Sequence, residues 1–382
     1  MKIALPRILA AGQVTRKIAD YAADVTRVEQ QTSFYCGAAC SVMVLRRFGI
    51  EVDQPTAYTT IHNEARFAVE QLYSDPAGIQ GFLDQNLSEL KIDVNIVAAD
   101  SFEEAAHQIV QSLAFYEFPG MVLVQGGNHW VTVDSVRVQE APNGQMDVVG
   151  VIVENPWYNK TAHTYVAVDE FQLRWLEPNK WGETWKGKYV VVARTGPDTG
   201  RALSLLSLQP SSKVMVVAKE SPPGIMTRDS LEMQAINGMA LHGFDDVKAI
   251  GGGGAAVVTP IRILDEHTSA YYWIIPVDAT SEKQFADFCY VAISEETGGL
   301  LEVSRVSAEL DILNDSEVQL LLAGIYPHAN IEVDPQYRWI PAYEVLSRFD
   351  IARRATVDGT ALIVLRGGVV VSSLTNVPRF GG

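Results

Sequence analysis

The sequence predicts an α+β fold in which helices pack on an antiparallel sheet, followed by a second α/β or α+β unit. Three observations carry this. Up to Ala193, segments of helical period come first and segments of strand period second, the order of a segregated α+β domain. The stretch Thr195-Gly196-Pro197-Asp198-Thr199-Gly200 then supplies small, turn-forming residues suited to a linker. Finally, 382 residues suit two or three domains at roughly 100–200 residues each. The divisions read from the chain are a lead-in helix over 1–24, a catalytic-type domain over 25–196, a linker over 197–212 and a mixed α/β domain over 213–382.

Residues Gln13 to Glu29 have helical spacing with mixed charges and read as a surface helix or an ordered lead-in. Cys36 to Phe48 is a strongly apolar helix closed by Gly49. Arg66 to Leu90 reads as helical with a break near Pro76 and Gly78. Ser101 to Leu113 is a helix with Ser101 as N-cap and Glu104 at the capping-box position. Strands follow at Gly120–Gln125, His129–Val138, Gly150–Glu154 and Thr164–Ala167. Val168–Trp175 reads as a helix and Lys188–Ala193 as a strand. In the remainder, strands are expected at Val214–Ala218, Ala255–Leu264, Ala270–Pro276, Tyr290–Ile293 and Leu300–Val306. Helices are expected at Thr227–Met239 and Glu317–Leu322, and a hairpin at Ala361–Val371.

Composition narrows the function. Hydrophobic residues make up 47% and charged residues 20%, which is ordinary for a globular chain. With 30 Lys+Arg against 46 Asp+Glu the net charge is −16, which repels phosphate backbones and argues against nucleic acid as partner. Three cysteines are too few and too odd for a disulfide framework. No apolar run approaches the ~20 residues of a membrane span. Met1 to Ala11 lacks the apolar centre of a signal peptide, so a cytoplasmic form is expected, although a trimmed secreted chain would read the same.

Three segments carry chemistry. In Gln30-Gln31-Thr32-Ser33-Phe34-Tyr35-Cys36-Gly37-Ala38-Ala39-Cys40, Cys36 opens an apolar helix. The N–H groups and partial positive charge of a helix N-terminus favour thiolate, which is expected to lower the Cys36 pKa. Gly37 would let a substrate approach the backbone. Gln30 could place a side-chain N–H beside the Cys36 backbone N–H, a pair of oxyanion donors. In Gly126-Gly127-Asn128-His129-Trp130, a flexible Gly-Gly turn leads into a strand whose rigid end carries His129 as general base. In Val153-Glu154-Asn155-Pro156-Trp157, Asn155 ends a strand and could fix the imidazole tautomer. Asp134 is its rival, but an odd separation from His129 on one strand points it to the opposite face.

The order Gln, Cys-Gly-x-Ala opening a helix, Gly-x-His-hydrophobic, then Asn-Pro resembles the papain-like cysteine peptidase superfamily. Within it, the chain is most similar to stand-alone relatives of the bacteriocin leader peptidases that cut after double glycine. Phytochelatin synthase shares the Gln-x5-Cys-Gly start. The stretch Val168-Asp169-Glu170-Phe171 … Trp175 … Trp185-Lys186-Gly187 … Val190-Val191-Val192 resembles the tail of such domains. The resemblance covers about residues 25–195. It implies a papain-like fold there, with Cys36 as nucleophile, His129 as base, Asn155 as orienter and Gln30 as oxyanion donor. The implied activity is peptide cleavage or acyl transfer on a peptide or protein substrate, without metal or organic cofactor. Two alternatives stand beside it: a catalytically silent peptide-binding module, and γ-glutamyl dipeptidyl transfer. The leader peptidases usually carry Asp at the Asn155 position, whereas papain has Asn. The polar excursion Gln139–Val148 predicts a lengthened hairpin, and no ATPase or membrane segment follows. Oligomeric state and the role of the C-terminal unit are not legible.

The remaining signals read as structural. Cys40, one turn after Cys36, and Cys289 are read as core. His62, His107, His163, His242, His267 and His328 lack metal-ligand spacing. Gly251–Gly254 lacks the Gly-Lys-Ser/Thr of a phosphate loop and reads as a turn. Trp157, Trp175, Trp181 and Trp185 could line a cleft or fill a core.

Overall fold

The computed structural model describes residues 17–63, 74–140, 146–157, 163–181, 184–196, 206–207, 231, 234–236, 238–239, 242, 247–249, 260–279, 288–306, 312–340 and 347–374. The first half is built from β1 (Lys17–Ala22), α1 (Cys36–Arg47), α2 (Gln54–Asn63), α3 (Pro76–Leu87), β2 (Asn95–Ala99), α4 (Phe102–Tyr116), β3 (Gly120–Val124), β4 (His129–Glu140), β5 (Met146–Glu154), β6 (Thr164–Ala167), α5 (Val168–Glu170, running on as one wide turn to Trp175) and β7 (Tyr189–Ala193). The second half adds β8 (Leu206–Ser207), β9 (Val247–Ala249), β10 (Ile261–Asp265), β11 (Tyr271–Ala279), β12 (Phe288–Ser294), β13 (Leu300–Val306), α6 (Asp315–Ile325), β14 (Ile331–Trp339), β15 (Ala352–Val357), β16 (Thr360–Leu365) and β17 (Val370–Val371). The mixed α+β class expected from the sequence agrees with this. Among the described residues, no helix is long and apolar enough to cross a membrane.

Strand pairing in the first half runs β2-β7-β3-β4-β5-β6, antiparallel throughout. Residues 17–22 form no helix: β1 pairs along the second half of β4, Lys17 opposite Glu140 and Ala22 opposite Ser135. β4 is 12 residues long, and β3 covers only its first half, so its far edge needs a partner and tertiary pairing overrides the weak helical spacing. Pro76 does not interrupt a helix but starts one. Asp75 caps α3, its Oδ1 accepting from Ala77 N at 2.8 Å, and proline at the first turn loses no hydrogen bond. The Ser101 cap forms as expected, accepting from Glu104 N at 3.1 Å, while the Glu104 carboxylate reaches back to Asp100 N. The hairpin between β4 and β5 is lengthened, with Glu140 opposite Met146.

α1 is the hub. Ten consecutive residues, Cys36 to Leu45, are buried, and charge returns only at Arg46 and Arg47. A helix apolar all round belongs inside a core; here it packs against α2, α3 and β4.

The two halves share one sheet. β6 pairs with β13, Glu302 opposite Val166 and Ser304 opposite Thr164, and β13-β12-β11-β10-β14-β15-β16-β17 continue it. Arg348 is buried at this seam. It binds Glu170 through Nε at 2.6 Å and Asp265 through Nη1 at 2.8 Å, and Arg174 adds a second contact to Asp265 at 2.9 Å. Glu302 accepts from Ser347 Oγ, the Arg348 N–H and Trp175 Nε1. Burial and the nearby Glu170 push the Glu302 carboxyl up to about 8. The strand expected at 214–218, the turn at 251–254 and most of the 197–212 linker lie outside the described residues.

Candidate active site

Cys36 is the first residue of α1 and has no exposed surface. The backbone N–H of Trp130 points at its Sγ, 3.3 Å away. Trp130 follows His129 on β4, so the helix start and the strand start meet at this bond. Burial pushes the Cys36 thiol up to about 12, against the N–H groups of Trp130, Gly37 and Cys36, which pull it down. The depressed pKa expected from a helix N-terminus is thus reversed. The N–H groups are there, but complete removal from water costs the thiolate more than they return.

His129 is 3% exposed. Its Nε2 lies 2.9 Å from Asn155 Oδ1. The same Oδ1 accepts from the Trp157 backbone N–H at 2.9 Å, which fixes the orientation of the amide. An amide oxygen only accepts, so Nε2 carries the proton and Nδ1 is the basic nitrogen. The Trp157 ring stands edge-on to the imidazole at 5.9 Å and shields the His129–Asn155 bond. Asn155 itself is 3% exposed.

Gln30 joins the same group through the backbone. Its N–H donates to Pro156 O at 2.7 Å, and its side chain is buried. The Gln30 Nε2 donates to Thr32 O at 2.7 Å, which uses one of its two hydrogens. The structure therefore joins Cys36 to the residue after His129, His129 to Asn155, and Gln30 to the residue after Asn155.

Three glycines have other reasons than those expected. A Cβ at Gly37 would lie 2.3 Å from Ser74 Cβ, so this glycine lets α1 pack against the 74–75 segment rather than admitting substrate. The Gly126-Gly127 turn is pinned, not flexible. Both residues have positive φ, Lys180 N donates to Gly126 O at 2.8 Å, and a Cβ at Gly127 would meet Asn179 Oδ1 at 1.9 Å.

Several supporting residues carried no sequence signal. Arg27 donates through Nε to Asn155 O at 2.7 Å and through Nη2 to Trp157 O at 2.6 Å. Gln54 is buried on α2. It accepts from Gln31 N at 2.9 Å and donates to Glu29 O at 2.6 Å. Arg27 thus ties the 27–31 segment to the Asn155–Trp157 turn, and Gln54 ties it to α2. Cys40 is buried and donates to Trp130 O at 3.4 Å, as a core residue would. Trp175 is fully buried, Trp185 bonds Asp75 through Nε1 at 3.2 Å, Trp181 bonds Asn128 Oδ1 through Nε1 at 3.1 Å, and Trp157 stands against His129.

Asp134 does not approach His129. It lies beside Glu154 and His163: His163 Nδ1 is 2.8 Å from Glu154 Oε1 and 3.6 Å from Asp134 Oδ2. Burial and the neighbouring Glu154 push the Asp134 carboxyl up to about 8.

No protein-family model matches the chain, and no curated protein does. Among solved structures it is similar to a double glycine motif protease from an AMS/PCAT transporter, solved in complex with the leader peptide. That likeness has a TM-score of 0.28 and 13% identity, and covers 46% of this chain and 94% of that one. A likeness of that size leaves the chemistry to be read from the residues themselves.

Proposed function

We propose that the protein is a thiol-dependent amide-cleaving or acyl-transfer enzyme acting on a peptide, with Cys36 as nucleophile, His129 as base and Asn155 as the group that orients it. One observation carries the reading: Asn155 Oδ1 accepts from both His129 Nε2 and the Trp157 N–H. This leaves Nδ1 as the proton acceptor on the residue adjoining the N–H that touches Cys36 Sγ.

Because the thiol is held neutral, attack and deprotonation are coupled. His129 Nδ1 takes the Cys36 proton as Sγ adds to the amide carbonyl. The developing oxyanion is served by the Cys36 N–H and by the second hydrogen on Gln30 Nε2. The imidazolium returns the proton to the leaving amine, and an acyl-enzyme forms. Water or a second amine, deprotonated at Nδ1, then releases the acyl group.

The test is digestion of a defined synthetic peptide library by the full chain, read by mass spectrometry, beside Cys36→Ala and His129→Ala. New termini that depend on both residues support the reading. Equal cleavage by Cys36→Ala, or none by the wild type, defeats it. The complete enclosure and raised pKa of Cys36 favour a second reading, a silent peptide-binding module. It expects bound library peptides to be recovered uncut.

A further inference from the structure

We propose that Asp134, Glu154 and His163 bind one divalent first-row transition-metal ion, for which Zn2+ is the probe. This site lies outside the Cys36–His129 constellation and does not depend on its chemistry. The three residues come from β4, β5 and the residue before β6, and one donor atom of each lies within 4.8 Å of the others.

The local structure explains how they meet. β4 and β5 change register between Val133 and Ser135, which makes Asp134 the extra residue of a bulge. Bulges re-aim a side chain that the pleat would otherwise direct elsewhere. The Asp134 side chain is almost wholly enclosed, and its Oδ1 has no hydrogen-bond partner among the described residues. A buried carboxylate oxygen without a donor is costly unless a cation or water serves it. Glu154, equally enclosed, faces the same gap and adds a second carboxylate. His163 is about half exposed, which provides the path from solvent.

The spacing suits a small metal. Ligand bonds of about 2.0–2.2 Å in tetrahedral geometry put donor atoms about 3.4 Å apart. The measured separations from His163 Nδ1, 2.8 Å to Glu154 and 3.6 Å to Asp134, bracket that value. One imidazole and two carboxylates form a donor set for zinc or manganese rather than for Ca2+ or Mg2+, which take oxygen alone. Binding would replace the His163–Glu154 hydrogen bond and leave His163 as a neutral imidazole with its proton on Nε2, so that a proton is released to solvent where His163 was imidazolium. Reading histidine spacing along the chain could not find this site, because its ligands lie on three separate segments.

The experiment titrates chelator-stripped full-length protein with Zn2+ by calorimetry and with Co2+ by visible absorption. Wild type, Cys36→Ala, Asp134→Asn, His163→Ala and the exposed control His328→Ala are compared. The expected result is one equivalent bound equally by wild type, Cys36→Ala and His328→Ala. Affinity should fall at least tenfold in Asp134→Asn and His163→Ala, and a hundredfold excess of Mg2+ or Ca2+ should not compete. The Co2+ spectrum of the wild type alone also decides: weak d–d bands support the site, and a near-ultraviolet thiolate charge-transfer band overturns it. No stoichiometric uptake, or uptake unchanged in both ligand variants, overturns it as well.

Discussion

Two buried polar clusters in this molecule solve the problem of burial in opposite ways. At the seam between the halves, Arg348 is surrounded by Glu170, Asp265 and the ring of Tyr272, and nearly every charge has an opposite charge or several donors beside it. At the α1–β4 junction, Cys36, His129 and Asn155 are as deeply buried, and the contacts among them run through backbone N–H groups and the Asn155 amide, with Arg27 donating to the Asn155 carbonyl from the edge. The first arrangement holds a geometry. The second holds a thiol whose ionisation is made costly by burial; in the proposed mechanism that proton leaves only as His129 takes it during attack.

The comparison is broken most sharply at the nucleophile. Cys36→Ala should abolish peptide cleavage with little change in stability, and His129→Ala should lower the rate by about 10²–10⁴. Asn155→Asp, which keeps both accepting roles, should lose less than Asn155→Ala; steady-state kinetics on one cleaved peptide ranks all four. At the seam the effect should fall on stability instead. Arg348→Met strands Glu170 and leaves Asp265 with Arg174 as its counter-charge, and should cost about 3–5 kcal/mol in urea unfolding, leaving Cys36, His129 and Asn155 in place.

The pH dependence of folding sharpens the contrast further. The Glu302 carboxyl, ordinarily near 4.5, is held at about 8 in the fold. Between those values the folded state keeps a proton that the unfolded state has released, so stability is complete below pH 4.5 and declines as pH rises toward 8. Glu302→Gln should remove part of that decline in thermal melts taken across the window; the remainder comes from Asp134, whose carboxyl is also held at about 8. A smaller effect is expected where packing alone is disturbed. Gly37→Ala should cost about 1–3 kcal/mol by overpacking against Ser74, and Ser74→Gly should recover part of it. Least of all, breaking the exposed Arg262–Glu295 pair should change stability by less than about 1 kcal/mol.

What could be read from the chain followed from local pattern. β3, β6 and β13 are short apolar runs bounded by turns, and the expected ranges of β6 and β13 coincide with the observed ones. β2 was missed because Asn95–Ala99 is brief and only partly buried, so it has no clear period. β14 was missed because Pro335 and the polar residues around it read as a break; the register shift between Val333 and Tyr337 is what accommodates them. Of the proposed site, Cys36 and His129 stood out because they open elements and Asn155 because it follows one, whereas Gln30 stood out by its spacing of six residues before Cys36. Arg27, Gln54 and the Asp134–Glu154–His163 group did not, since their meaning lies in contacts between distant segments.

The join between β6 and β13 also sets a timetable for synthesis. β6 emerges from the ribosome about 130 residues before its partner. At about 5–20 residues per second, its outer edge waits for roughly 7–26 seconds with open hydrogen-bonding groups. At four residues it is short, and a short strand is a poor template for a stray chain. The open edge that waits for β13 and for Arg348 is thus kept short for as long as it is exposed on the nascent chain.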